Sequence, residues 1–236
     1  MPQSSVSAAY WLGFRHGLPF LLVIAPFGLL FGVAASEAGF NLAEVMGFSV
    51  LVIAGASQFA AVQLMADNAP VLMVLATSLA VNLRMAMYSA SLAPHLGAIP
   101  AWKKALAAYF LVDQIYALAI LEYERHPRRS LAAKLAYYAG ACTPVCPLWY
   151  VSTFFGATVG QAIPPQFALD FAVPITFLAM LAPMLRSLAH VAAAAVSAGL
   201  ALLLSFLPGG VGLLIAAGAA MATGARVELW QRRRQA

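Results

Sequence analysis

Two oppositely charged side chains interrupt runs that are otherwise apolar. Arg84 falls near the middle of 70–92, and Asp113 near the middle of 104–121. Each run is long enough to cross a bilayer, and a charge held at that depth marks a site that something needs. A guanidinium clasps carboxylates, and a carboxylate either pairs with it or, left alone, tends to take up a proton. Both readings of Asp113, coupling proton and counter-ion, are open, as is a purely structural lock. At helical spacing Thr77, Arg84, Tyr88 and Ser91 share one face, with Asn82 on the neighbouring stripe beside Ser78 and Ser89. Gly55, Ser57 and Gln58 form a third polar interruption: small residues expose backbone, and Gln58 adds an amide donor and acceptor. Such a set suits a small zwitterion. Freed N–H groups or Arg84 would hold a carboxylate, and carbonyls, Gln58 and Asn82 an ammonium.

The composition says where such a set sits. Of 236 residues, 63% are hydrophobic and 9% charged, against about 25% charged in soluble domains. Mean hydropathy is +0.87. These values exclude a soluble domain and a disordered chain, leaving an all-α polytopic membrane bundle as a single domain over 1–236. Eight candidate spans follow: 18–36, 44–66, 70–92, 104–121, 135–159, 167–185, 188–206 and 209–226. The second is the least regular. Gly55, Ser57, Gln58 and Gln63 make it a candidate broken or re-entrant element, which would reduce the count to seven.

Basic residues orient the map, since Arg and Lys collect on the cytoplasmic side. With eight spans and both termini inside, ten of the thirteen basic residues fall in inside segments. Lys103 and Lys104 fall outside, and Arg84 lies within a span. The Lys pair stays unexplained by this topology. Ala34–Ala35–Ser36 looks like a signal cleavage site, but no basic residue precedes Arg15 and Pro26 interrupts the run, so the segment reads as a retained span. The basic tail 231–236 reads as an anchor on anionic lipid rather than a nucleic-acid contact.

A shift of 124 positions lays Phe31-Gly32 on Phe155-Gly156 and would divide the chain into halves 13–121 and 135–226. Both first members carry small-xxx-small spacing, Gly28 with Gly32 and Gly156 with Gly160, which lets helices approach closely. Prolines 19, 26, 144, 147, 174 and 183 fall in the spans and predict kinks. Cys142 and Cys146 lack partner ligands and read as inert thiols, and His190 as a packing residue. His16, His95, His126 and His190 are scattered, and no hydrolase, zinc-protease or phosphate-loop motif occurs. The expectation is therefore no enzyme, no cofactor and no metal.

The runs Pro26-Phe-Gly-Leu-Leu-Phe-Gly32, Gly55-Ala-Ser-Gln58, Asn82-Leu-Arg84 with Tyr88-Ser89 and Leu92-Ala-Pro94 resemble the AzlC family of branched-chain amino acid permeases. The segment 169–179 resembles that family's later motif, and the likeness covers about 13–185. Two positions depart: the family often has Asp-Glu at Asp113-Gln114, and His at Met85. The resemblance implies an inner-membrane exporter of branched-chain and similar apolar amino acids that works with a small multi-span partner of the AzlD type. On this reading Gly55, Ser57, Gln58, Asn82, Arg84 and Tyr88 bind substrate. Asp113 couples the proton or pairs with Arg84, and Phe31 and Phe59 receive the aliphatic side chain. The alternative is a membrane scaffold or accessory subunit without its own transport path.

Overall fold

The computed structural model describes residues 5–162, 185, 187–207 and 211–235, and no strand occurs among them. A helical membrane bundle is the result. Helices Val6–Glu37, Val71–Leu96 and, in part, Val211–Gln235 are long and apolar enough to cross a membrane. The candidate span 167–185 lies outside the described residues but for 185.

The first compact unit comprises residues 1–62 and 78–167. It begins with α1 (Val6–Gly17), capped by the Ser5 side chain accepting from the Ala8 N–H. A single 3-10 turn, Leu18–Phe20, carries Pro19 near its start, and α2 (Leu21–Glu37) continues beyond it. Both pack along one long helix, which the order below makes α8 (Leu131–Ala162). The seam is made of glycines. A Cβ on Gly13 would overlap the Tyr137 carbonyl oxygen, and one on Gly140 that of Tyr10. Farther along, a Cβ on Gly32 would overlap the Thr153 carbonyl, and one on Gly156 that of Leu29. The contacts advance together, so α1–α2 and α8 run parallel. The stretches aligned by the 124-residue shift thus lie against each other, and the expected small-residue approach is real here.

Between these helices the chain twice turns back inside an apolar run, and the first of these turns is the expected break in the second candidate span. α3 (Leu42–Leu51) starts from a capping box in which Asn41 and Glu44 exchange side-chain-to-backbone bonds. It stops at Val52, whose backbone turns extended at φ −137° and ψ 96°. α4 (Gly55–Ala66) then turns back. Gln58 Nε2 comes 3.2 Å from Ser49 Oγ, whereas nine residues of continuous helix would separate them by about 13 Å. Gly55 lies against Phe27 and Trp149, and Phe59 against Phe27 and Phe31, so α4 proceeds in the direction of α2. The second candidate span is thus a broken, re-entrant hairpin.

α5 (Val71–Leu96) crosses next, and α6 (Ala101–Tyr109) follows Pro100. After Phe110 and Leu111 the backbone is extended at Val112, and α7 (Asp113–Arg125) begins. α7 runs alongside α5 in the same direction: Asp113 meets Arg84, Tyr116 meets Tyr88 and Ser91, and Tyr123 meets His95. α6 runs the other way: it starts five residues after the end of α5 at Leu96 and ends four residues before Asp113, which meets Arg84. The expected fourth span is therefore a second hairpin that enters and leaves at one end. At nine residues α6 reaches only about 14 Å, half of an apolar layer.

This turn corrects the placement of Lys103 and Lys104. Lys103 lines a groove with Leu135, and the Tyr138 hydroxyl bonds the Ala107 carbonyl at 2.6 Å, so α6 starts at the end where α8 starts. Arg125, Arg128, Arg129 and Lys134 occupy that same end. The Lys pair belongs with the basic residues rather than opposite them. The order from α3 to α8 is hairpin, long helix, hairpin, long helix, with the two hairpins entering from opposite ends.

The second unit comprises 63–77 and 168–236. There α9 (Leu188–Leu203), capped by Ser187, packs on α10 (Val211–Gln235). The Arg234 guanidinium lies 3.9 Å from the Trp230 ring centroid.

Two measurements check this fold. Cysteines placed at Lys104 and Arg128 should react with an impermeant maleimide from the same face of sealed vesicles, because native Cys142 and Cys146 are buried. Labelling from opposite faces would refute the second hairpin. Gly32→Val should lower the thermal midpoint by well over 5 °C, since overpacking a tight seam costs about 1–3 kcal/mol or more. An unchanged midpoint would refute the seam.

Candidate functional site

Asp113 is the first residue of α7, where the leading N–H groups of a helix lack internal partners and favour negative charge. α5 delivers Arg84 to it: Arg84 Nη1 and Asp113 Oδ2 are 3.1 Å apart. The pair is half open, with side-chain exposures of 26% and 41%. It is thus neither a sealed lock nor a surface bridge screened to nothing. Tyr88, one turn from Arg84, interacts with the Asp113 carboxylate and stacks on Tyr116 with ring centroids 4.0 Å apart. The Tyr116 hydroxyl donates to Ser91 Oγ at 3.1 Å.

Within the pair and along α5, hydrogen-bonding capacity is left over. Ser78 Oγ, Asn82 Oδ1, Arg84 Nε and Asp113 Oδ1 are buried and have no hydrogen-bond partner among the described residues. Unspent buried polar atoms cost free energy unless something else satisfies them. A cavity of about 260 Å³ is lined by Ser89 and Leu92 of α5, by Leu111 just before α7, and by Leu96 and Tyr138 among others, and almost all of its lining is apolar. An aliphatic hollow formed by the same segments that carry the pair suits the apolar part of a small molecule.

The Gly55–Gln58 segment is spent differently. The Ser57 hydroxyl donates to the Ala54 carbonyl at 2.9 Å. In the amide orientation that suits its neighbours, Gln58 donates to the Val52 carbonyl at 3.0 Å and accepts from Ser49 Oγ at 3.2 Å. Both residues are 1% exposed, and their bonds hold the turn of the first hairpin. Phe31 and Phe59 are likewise packed, at 0% and 2% exposure, in an aromatic cluster with Phe27 and Trp149. The structure therefore brings Arg84, Tyr88 and Asp113 together. Asn82 contributes an unpartnered oxygen, and Gly55, Ser57 and Gln58 build the neighbouring tip.

Three of the scattered histidines converge at the basic end. His16 Nδ1 lies 2.8 Å from the Tyr137 hydroxyl, and His95 Nδ1 lies 3.5 Å from Lys134 Nζ. Glu122 takes His126 at 2.9 Å and Arg129 at 2.8 Å. Linear spacing held no sign of this cluster; only the parallel course of α5 and α7 assembles it. Among the described residues no group of three or more metal-ligating side chains is present.

A double-mutant cycle tests the pair. Arg84→Gln and Asp113→Asn should each lower stability by about 1 kcal/mol, and the double variant should recover part of the loss. Strictly additive thermal shifts would show that the two side chains do not interact.

A family model described as AzlC protein matches residues 19–163, a stretch that includes both hairpins, Arg84 and Asp113. The chain is 28% identical over 181 residues to "Inner membrane protein YgaZ" of Escherichia coli (strain K12), covering 74% of this chain and 73% of that one. An "Uncharacterized membrane protein" of Archaeoglobus fulgidus is 30% identical over 213 residues, 86% of this chain and 87% of the relative. No solved structure matches the chain.

Proposed function

The chain belongs to the AzlC family, and we propose that it is a secondary transporter exporting branched-chain and similar apolar amino acids across the bacterial inner membrane, coupled to protons. The observation that carries this reading is the half-open Arg84–Asp113 pair, which keeps unpartnered polar atoms of its own, Arg84 Nε and Asp113 Oδ1, on segments that also line an aliphatic cavity. The substrate carboxylate takes Arg84, and its side chain enters the hollow beside Leu92 and Leu111. The substrate carboxylate competes with Asp113 for Arg84, and an Asp113 released from its cation takes up the coupling proton. Asn82 Oδ1 accepts from the ammonium.

The crowding of Lys103, Lys104, Arg125, Arg128 and Lys134 at one end supports a cytoplasmic position for that end. The N-terminus, at that end, is then cytoplasmic, and the basic residues of the tail argue for the same side at the C-terminus. A small multi-span subunit of the AzlD type completes the exporter.

Proteoliposomes holding the chain with such a partner, loaded with labelled valine or leucine, test the reading. Wild type should release label faster under a pH gradient, and Arg84→Ala should lose at least tenfold in rate. Release by Arg84→Ala at the wild-type rate would remove the pair from the mechanism. No gradient-driven release of any apolar amino acid by wild type would end the transport reading.

A further inference from the structure

Two hairpins that enter from opposite ends meet near the middle of α8, and one side chain ties them. Tyr109 is the last residue of α6. Its hydroxyl donates to the Val50 carbonyl of α3 at 2.5 Å and receives the Tyr150 hydroxyl of α8 at 2.9 Å. Val50 needs that donor. In an unbroken helix its carbonyl would take the Ala54 N–H, but Ala54 donates to Val52 instead. The tie is thus a replacement for a helical bond lost at the break of the other hairpin. Tyr109 is 37% exposed, so its hydroxyl is held by these two bonds more than by packing. Four residues later the same tip presents Asp113 to Arg84. A shift of the first hairpin therefore reaches the ion pair through Val50, Tyr109 and the tip of the second.

We propose that the two hairpins are opposing gates of one path and that Tyr109 is the positioning residue that keeps them from opening together. The proposal rests on the transport reading for its purpose but not for its test. With the tie made, the tips close the middle of the membrane against each other. When the first hairpin moves aside, the second keeps the Tyr109–Tyr150 contact; when the second moves aside, the first stays fastened through Phe59 to Phe27 and Phe31, and the path stays sealed. Without the hydroxyl both tips loosen at once, and the path leaks with no substrate present.

The experiment uses the full chain in liposomes holding a pH-sensitive dye, under a potassium-valinomycin potential and without any amino acid. Tyr109→Phe retains the ring contact with Phe110, at 4.8 Å, and loses both hydroxyl bonds. It should raise the proton leak at least tenfold with a thermal midpoint within a few degrees of wild type. Tyr150→Phe, which spares the Val50 bond, should leak a few-fold. Tyr10→Phe, which removes a hydroxyl bond to Thr143 on the same long helix, should stay tight. A Tyr109→Phe vesicle as tight as wild type, or a Tyr10→Phe vesicle equally leaky, would overturn the proposal. If Tyr109→Phe does not fold, Tyr150→Phe decides, and tightness equal to Tyr10→Phe overturns it. A wild type that carries no valine or leucine would defeat the substrate assignment and leave these leak results standing.

Discussion

A peptide chain that turns back halfway through an apolar layer must find partners inside the protein for the backbone groups it frees, because the lipid offers none. That constraint shapes both hairpins. In the first, the Val50 carbonyl, freed at the break, is taken by Tyr109, while the Ser57 and Gln58 side chains add bonds to the Ala54 and Val52 carbonyls that backbone N–H groups already meet. In the second, Asp113 places its charge at the leading end of α7, where the helix dipole favours it, and pairs with Arg84. The polar residues in these apolar runs thus serve the backbone first. What they leave over, an unpaired guanidinium nitrogen and three unpaired oxygens, is what a ligand can use.

Turning back also requires a fixed wall to turn against. The glycine seam supplies it. Because Gly13, Gly32, Gly140 and Gly156 admit backbone to backbone contact, α1–α2 and α8 form a slab in which neither helix can slide without collision. The aromatic cluster of Phe27, Phe31, Phe59 and Trp149 then fastens the first hairpin to this slab. The second hairpin is held at its foot by Tyr138 and Tyr123, each donating to a backbone carbonyl. Rigid helices carry the positions, and the hairpins carry the chemistry.

Much of this was legible in the residues. Gly55, Ser57 and Gln58 announce a break because they interrupt an apolar run with groups that need partners, and the break is there. Arg84 and Asp113 announce a polar site at depth and leave open whether they pair; the structure pairs them. The second hairpin was not legible. Hydropathy counts apolar residues without their direction, and 104–121 contains neither glycine nor proline to mark the reversal at Phe110–Val112. The clue was Lys103 with Lys104, which a crossing helix placed on the wrong side and a returning one places among the other cations. The histidine cluster lay beyond reach for a different reason: its members come from α1, α5 and α7 and share no spacing.

The half-open pair has an electrical consequence. Each unit charge carried through the full membrane voltage exchanges about 2.3 kcal/mol per 100 mV with the field. Arg84 on α5 and Asp113 at the hairpin tip sum to zero, so while they remain joined the two elements together carry no net charge in the field. A zwitterion that replaces Asp113 on Arg84 leaves the guanidinium neutralised in the same way. In the proposed transport cycle, a proton taken up by Asp113 would be the step that brings a net charge into the field, and the membrane potential would act on the cycle there.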